Sequence, residues 1–148
     1  MFTSFAAAGA DAQTSRKSVS GSEVTGTFSM GFTGKFKGNT NEIKILALGR
    51  GKLHIAMELT YPYYVGNTKE LSANLGSLDG EATIEGDTAV YESTEFGPCT
   101  ITIKFLRPGT IKVTQDGTDA DCGFGHNVTA GGTYKKVSSA KPKFEAPE

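Results

Sequence analysis

Two cysteines, two histidines and one short run of carboxylates are the side chains here whose spacing could support chemistry. Cys99 and Cys122 are the minimum for one crosslink, and a crosslink persists only in an oxidising compartment. The alternative is a pair of free thiols in a cytosolic core. A bridge would close a loop of about two dozen residues around one hairpin, which loop-closure entropy values at roughly 3 kcal/mol. A reactive thiol would instead need a neighbouring base, and His126 is the near candidate in sequence.

His126 stands in Gly125-His126-Asn127, with Asp119 and Asp121 available to orient it as a general base. The spacing supplies no nucleophile for it, so a solvent-facing loop histidine is the plainer expectation. His54 alternates with apolar residues of a strand and is expected to point outward. Neither a His-x-His pair nor a Glu-x-x-His spacing occurs, so zinc has no frame, and no cofactor is expected. Asp116, Asp119 and Asp121 in Asp116-Gly117-Thr118-Asp119-Ala120-Asp121 could offer oxygens to calcium, although the order is not that of an EF-hand loop. Asp and Gly are equally favoured in solvated turns for backbone reasons. Asn127-Val128-Thr129 has the form of a glycosylation triplet, meaningful only in a eukaryotic source. Tyr61, Tyr63 and Tyr64 offer faces that stack on sugars or anchor a protein partner; the alternative is that one or two of them plug a barrel mouth. Together with Phe124, His126 and Asn127 they form the candidate partner-binding set.

The elements that must carry these residues follow from the pattern around them. With 148 residues the chain fits one domain, and a net charge of -1 lacks the positive field that nucleic acid demands. No window approaches the roughly 20 apolar residues of a spanning helix. Nineteen glycines against five prolines, with many Thr, Ile and Val, suit short strands and tight turns.

Period-two alternation begins at Val24 and runs almost to the end. It predicts strands over residues 24–32, 42–48, 52–60, 78–85, 88–93, 99–106, 110–115 and 131–137. Gly49-Arg50-Gly51 and Gly86-Asp87 are read as tight hairpin turns. Pro62 is expected to end the third strand and open an irregular connection to about Asn74, with a helical turn near Thr68 to Ala73. Phe28, Met30, Ile55, Met57, Ile101, Phe105, Ile111 and Val113 are the expected inward residues, bulky enough to fill a small barrel.

Strands this short, with no room for crossover helices, predict an all-β fold, a single antiparallel meander barrel of about eight strands, calycin-like, with a two-sheet β-sandwich as the alternative. Gly26-Thr27-Phe28 and Gly132-Thr133-Tyr134 are the same unit and hint that the first and last strands meet where the barrel closes. The barrel is assigned to residues 22–138, a flexible tail to 139–148, and a signal-peptide remnant or disordered terminus to 1–21. Ala10-Asp11-Ala12 has the small-x-small form of a signal-peptidase site, which would make Gln13 the mature start.

The stretches Gly80-Glu81-Ala82, Ala89-Val90-Tyr91, Cys99 with Ile101 to Phe105, Val113 to Gly117, Cys122-Gly123-Phe124-Gly125-His126-Asn127-Val128 and Gly132-Thr133-Tyr134-Lys135 occur in that order. The run resembles small secreted or periplasmic proteins of Gram-negative bacteria that carry a C-terminal Cys-Gly-Phe-Gly-x-Asn-Val and Gly-x-Tyr pattern. It covers about Leu78 to Val137. The resemblance implies an envelope location and a disulfide more than an activity. The expectation is therefore a non-enzymatic periplasmic or secreted protein that binds a protein or glycan partner through rim loops. Alternatives are a lysozyme inhibitor, although Ser20-Gly21 is not followed by the Tyr of one inhibitor loop motif, a small enzyme using His126, and a subunit of a larger assembly.

Overall fold

Alternation of apolar and polar residues is realised as eight strands: β1 (Gly26–Gly31), β2 (Thr40–Gly49), β3 (Lys52–Tyr64), β4 (Leu71–Glu85), β5 (Thr88–Ser93), β6 (Cys99–Arg107), β7 (Thr110–Asp116) and β8 (Gly132–Ser138). The computed structural model describes residues 16–144, and in it each strand pairs antiparallel with the next. β8 returns to β1 through Phe28↔Lys136 and Ser29↔Lys135, so the sheet is a closed barrel and the sandwich is excluded.

The two Gly-Thr-aromatic units do sit at this closure. A Cβ on Gly26 would stand 2.5 Å from the Ser138 carbonyl oxygen, and one on Gly132 would strike the Met30 sulfur. Only glycine lets these backbones meet. The interior is filled by side chains, with Phe28, Ile43, Ile55, Met57, Ile103 and Phe105 all fully buried. Of the expected inward set, Met30 alone is only partly buried, because it lies at the rim beside Gly132. Positions that alternate with these carry Glu42, Lys44, Glu58, Asp79, Lys104 and Lys112, so the outer wall is charged and offers no lipid-facing band. Among the described residues no helix is long and apolar enough to cross a membrane.

The strands define two ends. At the lower end Arg50-Gly51, Gly86-Asp87 and Pro108-Gly109 turn the chain in two residues each. Arg50 and Gly51 both have positive φ, 58° and 74°, as the hairpin turn that matches strand twist requires. Val24 does not begin a strand: it ends a helical turn, α1 (Gly21–Val24), which Ser20 caps by accepting the Glu23 N–H, and it is buried against the core. Asp87, also buried, accepts the Arg16 N–H at 2.8 Å and the Thr88 hydroxyl at 2.9 Å. The Arg16 N–H holds its carboxyl below the usual carboxylate range, and the segment leading into α1 is pinned there. The expected cleavage motif at residues 10–12 lies outside the described residues.

At the upper end the structure corrects the sequence reading. β3 does not stop at Thr60 but runs to Tyr64, and β4 begins at Leu71 rather than Leu78, paired through Tyr61↔Asn74, Pro62↔Ala73 and Tyr64↔Leu71. The expected irregular connection is a long hairpin arm, and the helical turn near Thr68 to Ala73 is replaced by the tip turn and strand. Proline is accommodated by direction. Thr60 gives its N–H to the Asn41 Oδ1 at 2.8 Å, on the β2 side; alternation sends the Pro62 nitrogen to the same side, beyond the end of β2. No ladder donor is lost.

β4 pairs with β3 along its whole length but with β5 only at Thr83, Ile84 and Glu85. Continued register would set Glu81 directly against Glu92, and like charges so placed oppose pairing. A seam opens above Thr83. From inside, the Tyr91 ring seats on Gly80 and the Phe124 ring on Gly76. The tail also finds a seat, since Phe144 stacks on His54 with centroids 3.7 Å apart and Lys44 donates to the Lys143 carbonyl.

Candidate functional site at the upper rim

The loop from residue 117 to 131 crosses the upper mouth, and a disulfide joins it to the wall. Cys122 is bonded to Cys99 at the start of β6, with Cα atoms 5.1 Å apart and 23 residues between them in sequence. Thr118 and Asp121 cap one another, the Thr118 N–H donating to Asp121 Oδ2 and the Asp121 N–H to Thr118 Oγ1. Asp119 is the loop's staple. Its main-chain oxygen accepts the N–H groups of Cys122 and Phe124, and its carboxylate accepts those of Asn127 and Ala120 at 2.5 and 2.6 Å. Chiefly through the Asn127 N–H, this carboxyl is held below the usual range.

These bonds decide what the candidate chemistry can do. Asp116 is paired with Thr100 at the end of β7, Asp119 is spent on backbone donors and Asp121 on Thr118. The three carboxylates proposed for calcium do not converge, and among the described residues no group of three or more His, Cys, Asp or Glu could hold a metal ion. His126 is 82% exposed, with Nδ1 4.0 Å from Asp119 Oδ2. Both thiols are consumed in the bridge, so neither is a nucleophile for it.

The loop is braced from below as well. Phe124 and Val128 are buried, and a Cβ on Gly76 would lie 2.9 Å from each of them, so the loop packs on β4 only because that residue is glycine. The Gly125 N–H reaches the Leu75 carbonyl at 2.9 Å and the Asn74 amide donates to the His126 carbonyl at 2.9 Å. Tyr134, fully buried inside the barrel, donates its hydroxyl to the Ala130 carbonyl at 2.9 Å. Burial pushes its phenol up to about 12. What remains free is the tip: His126 and Asn127, the latter with a φ of 66° that asparagine tolerates better than most residues.

The six candidate binding residues therefore separate. Tyr61 and Tyr63, two apart on β3, share a face with their register partners Asn74 and Ser72, and Asn74 links that face to His126. Both rings are partly exposed. Tyr64 points the other way, donates to the Lys35 carbonyl at 3.3 Å and stacks on Phe36 of the 3-10 turn Gly34–Phe36, with Lys35 over both rings. Phe124 is a buried anchor. The structure thus groups Tyr61, Tyr63, His126 and Asn127 at one rim, buries Phe124 beneath it and turns Tyr64 away onto the 3-10 turn.

Sequence reasoning missed the arm's apolar residues. Leu71 and Leu75 are 47% and 69% exposed, and Val65 and Phe96 are also solvent-facing, with the Phe96 ring lying over Gly123. The only signal was a pair of leucines in a stretch read as irregular. Fold and rim together define a disulfide-tied, eight-stranded meander barrel with an overhanging hairpin arm. Comparison with protein-family models, curated proteins and solved structures finds no match to this chain.

Proposed function

We propose that this protein is a non-enzymatic binding protein of an oxidising extracytoplasmic compartment, the periplasm or the exterior, and that it recognises a protein partner through the arm and the bridged loop. The observation that carries this reading is the exposed apolar residues of the upper rim: Tyr61 and Tyr63 on one face of the arm, Leu71 and Leu75 on the other, Val65 near its tip and Phe96 over the bridged loop. An arm left apolar on both faces suits a partner that encloses it. Aliphatic side chains have no donors for the hydroxyls of a glycan, which favours a protein surface over a sugar. The bracing of the loop by Cys122, Phe124 and Asp119 supports the same reading, because a pre-ordered rim loses little entropy on binding. The formed disulfide supports the compartment.

The test is recovery of a partner from an envelope extract by the immobilised protein. Changing Leu71 and Leu75 to Ser, and separately Tyr61 and Tyr63 to Ser, should remove the partner while thermal unfolding stays within a few degrees; undiminished recovery takes the arm out of the site. Lysozyme inhibition is the specific form in which the rim enters an enzyme cleft. Micromolar protein should then slow lysozyme turnover, and no slowing with any lysozyme type ends that form.

A further inference from the structure

The wall of the barrel holds a second surface, directly below the rim, in the seam between β4 and β5. We propose that the β4 edge at Ser77, Asp79 and Glu81 takes up an extended, lysine- or arginine-rich strand of a partner protein by strand addition. Direction comes from the ladder. The Ile84 N–H donates to Gly51 on the β3 side, whereas the Leu75 carbonyl accepts from Gly125 on the other. Even-numbered main-chain groups of β4 therefore serve β3, and those of Ser77, Asp79 and Glu81 turn toward the seam. The β5 ladder ends at Thr83↔Val90, and among the described residues the Gly125 contact closes the seam only at Leu75.

Between those limits the edge is long enough for three main-chain residues in the hydrogen-bonding direction. It also has a floor. The Tyr91 and Phe124 rings on Gly80 and Gly76 seal the core beneath it, so an incoming strand meets packed structure. Main-chain pairing of this kind gives affinity without sequence, and the flanking side chains give selection. Those side chains are Asp79, Glu81 and Glu92, all on the outer face, with Asp79 also accepting a contact from His54 at 2.8 Å. A second copy of the same edge would set these acids against themselves. A strand that alternates basic residues places a cation beside each.

The test uses isotope-labelled protein and two blocked heptapeptides, one alternating lysine with valine and the other glutamate with valine. With the lysine peptide, amide exchange at Ser77, Asp79 and Glu81 should slow by about tenfold or more, as ladder formation protects amides; the glutamate peptide should leave it unchanged. No slowing, equal slowing by both peptides, or ladder-like protection already present in the free protein would each overturn the proposal. Glu81→Lys with Glu92→Lys should reverse the preference, and Glu81→Gln with Glu92→Gln, which is milder on folding, should weaken lysine-peptide binding several-fold; an unchanged preference in either overturns it. The Tyr61→Ser, Tyr63→Ser protein should bind the lysine peptide as the parent does, which keeps this surface separable from the rim.

Discussion

At the lower end of the barrel three two-residue turns join neighbouring strands; at the upper end the connections are residues 32–39, 65–70, 94–98 and 117–131. The same strands supply both ends, yet they are held by different physics. A two-residue turn with positive φ fixes its hairpin through local backbone geometry, so each lower hairpin is specified by residues adjacent in sequence, and Arg16 docked on Asp87 is an added long-range contact. The upper end has no such device. Its shape depends on partners far apart in the chain: Cys99 with Cys122, Gly76 with Phe124, Asn41 with Thr60, Asn74 with His126. Recognition surfaces gather where local rules leave freedom, and here long-range contacts remove most of that freedom again.

The largest test of this contrast removes sulfur. Cys99→Ser with Cys122→Ser should lower unfolding free energy by about 3 kcal/mol in denaturant titration. Amide exchange should quicken first in residues 122–130 and least around Arg50-Gly51. An even rise at both ends would mean that the lower turns do not hold their end independently.

Alkaline titration is the next probe, through Tyr134. Its folded pKa is raised to about 12 by burial, while an unfolded tyrosine ionises near 10. Below about pH 10 both states are neutral and stability is intact; above it the unfolded chain releases a proton that the native state retains, so stability falls as pH climbs toward 12. The accumulated loss is roughly 2 to 3 kcal/mol at the top of that window. Tyr134→Phe should remove this tyrosine's share of the alkaline slope. It should also free the Ala130 carbonyl, and with it the last span of the upper loop.

How much of this was legible in the chain follows the same division. The lower turns, the eight strands and the closure near Gly26 and Gly132 were legible because period and turn chemistry are local signals. The loop that carries His126 and Asn127 was legible as a loop, from its glycines and carboxylates, but not its bracing, since nothing near Asp119 in sequence reveals that its carboxylate meets the Asn127 N–H. The arm was misread for a single reason. Pro62 ends a strand if its missing donor belongs to a ladder, and whether it does depends on where β2 stops. Likewise nothing beside Gly76 or Gly80 in sequence reveals that each is the seat of an aromatic ring arriving from elsewhere.

That last point gives a sharper, smaller test. Gly76→Ala places a methyl 2.9 Å from the Phe124 Cβ and a Val128 methyl, neither the far end of a flexible side chain, so the loop must shift. The expected cost is about 2 kcal/mol, seen as a lower denaturant midpoint. Gly31→Ala, also at the upper end, meets nothing within 4 Å and should change stability by less than about 0.5 kcal/mol. Equal effects at the two positions would show that the loop does not depend on this seat.

Pro62→Val is expected to have the smallest effect on the monomer and bears most directly on the arm. The native pairing of β3 with β4 uses the N–H groups of odd-numbered residues here, so valine restores a donor that no strand of the barrel awaits. Pairing should survive, with a stability change of no more than about 1 kcal/mol, part of it from the greater freedom of the unfolded chain. Asn41 already satisfies Thr60, and Pro62 is itself buried, so the new N–H is enclosed and is not offered to a second copy. Sedimentation should show no concentration-dependent association for Pro62→Val or for the parent; association of the variant alone would mean that this edge is open. A large loss of monomer stability would instead mean that the proline ring itself holds the arm, through packing on its buried side, and that direction of the missing donor is not what admits it to the strand.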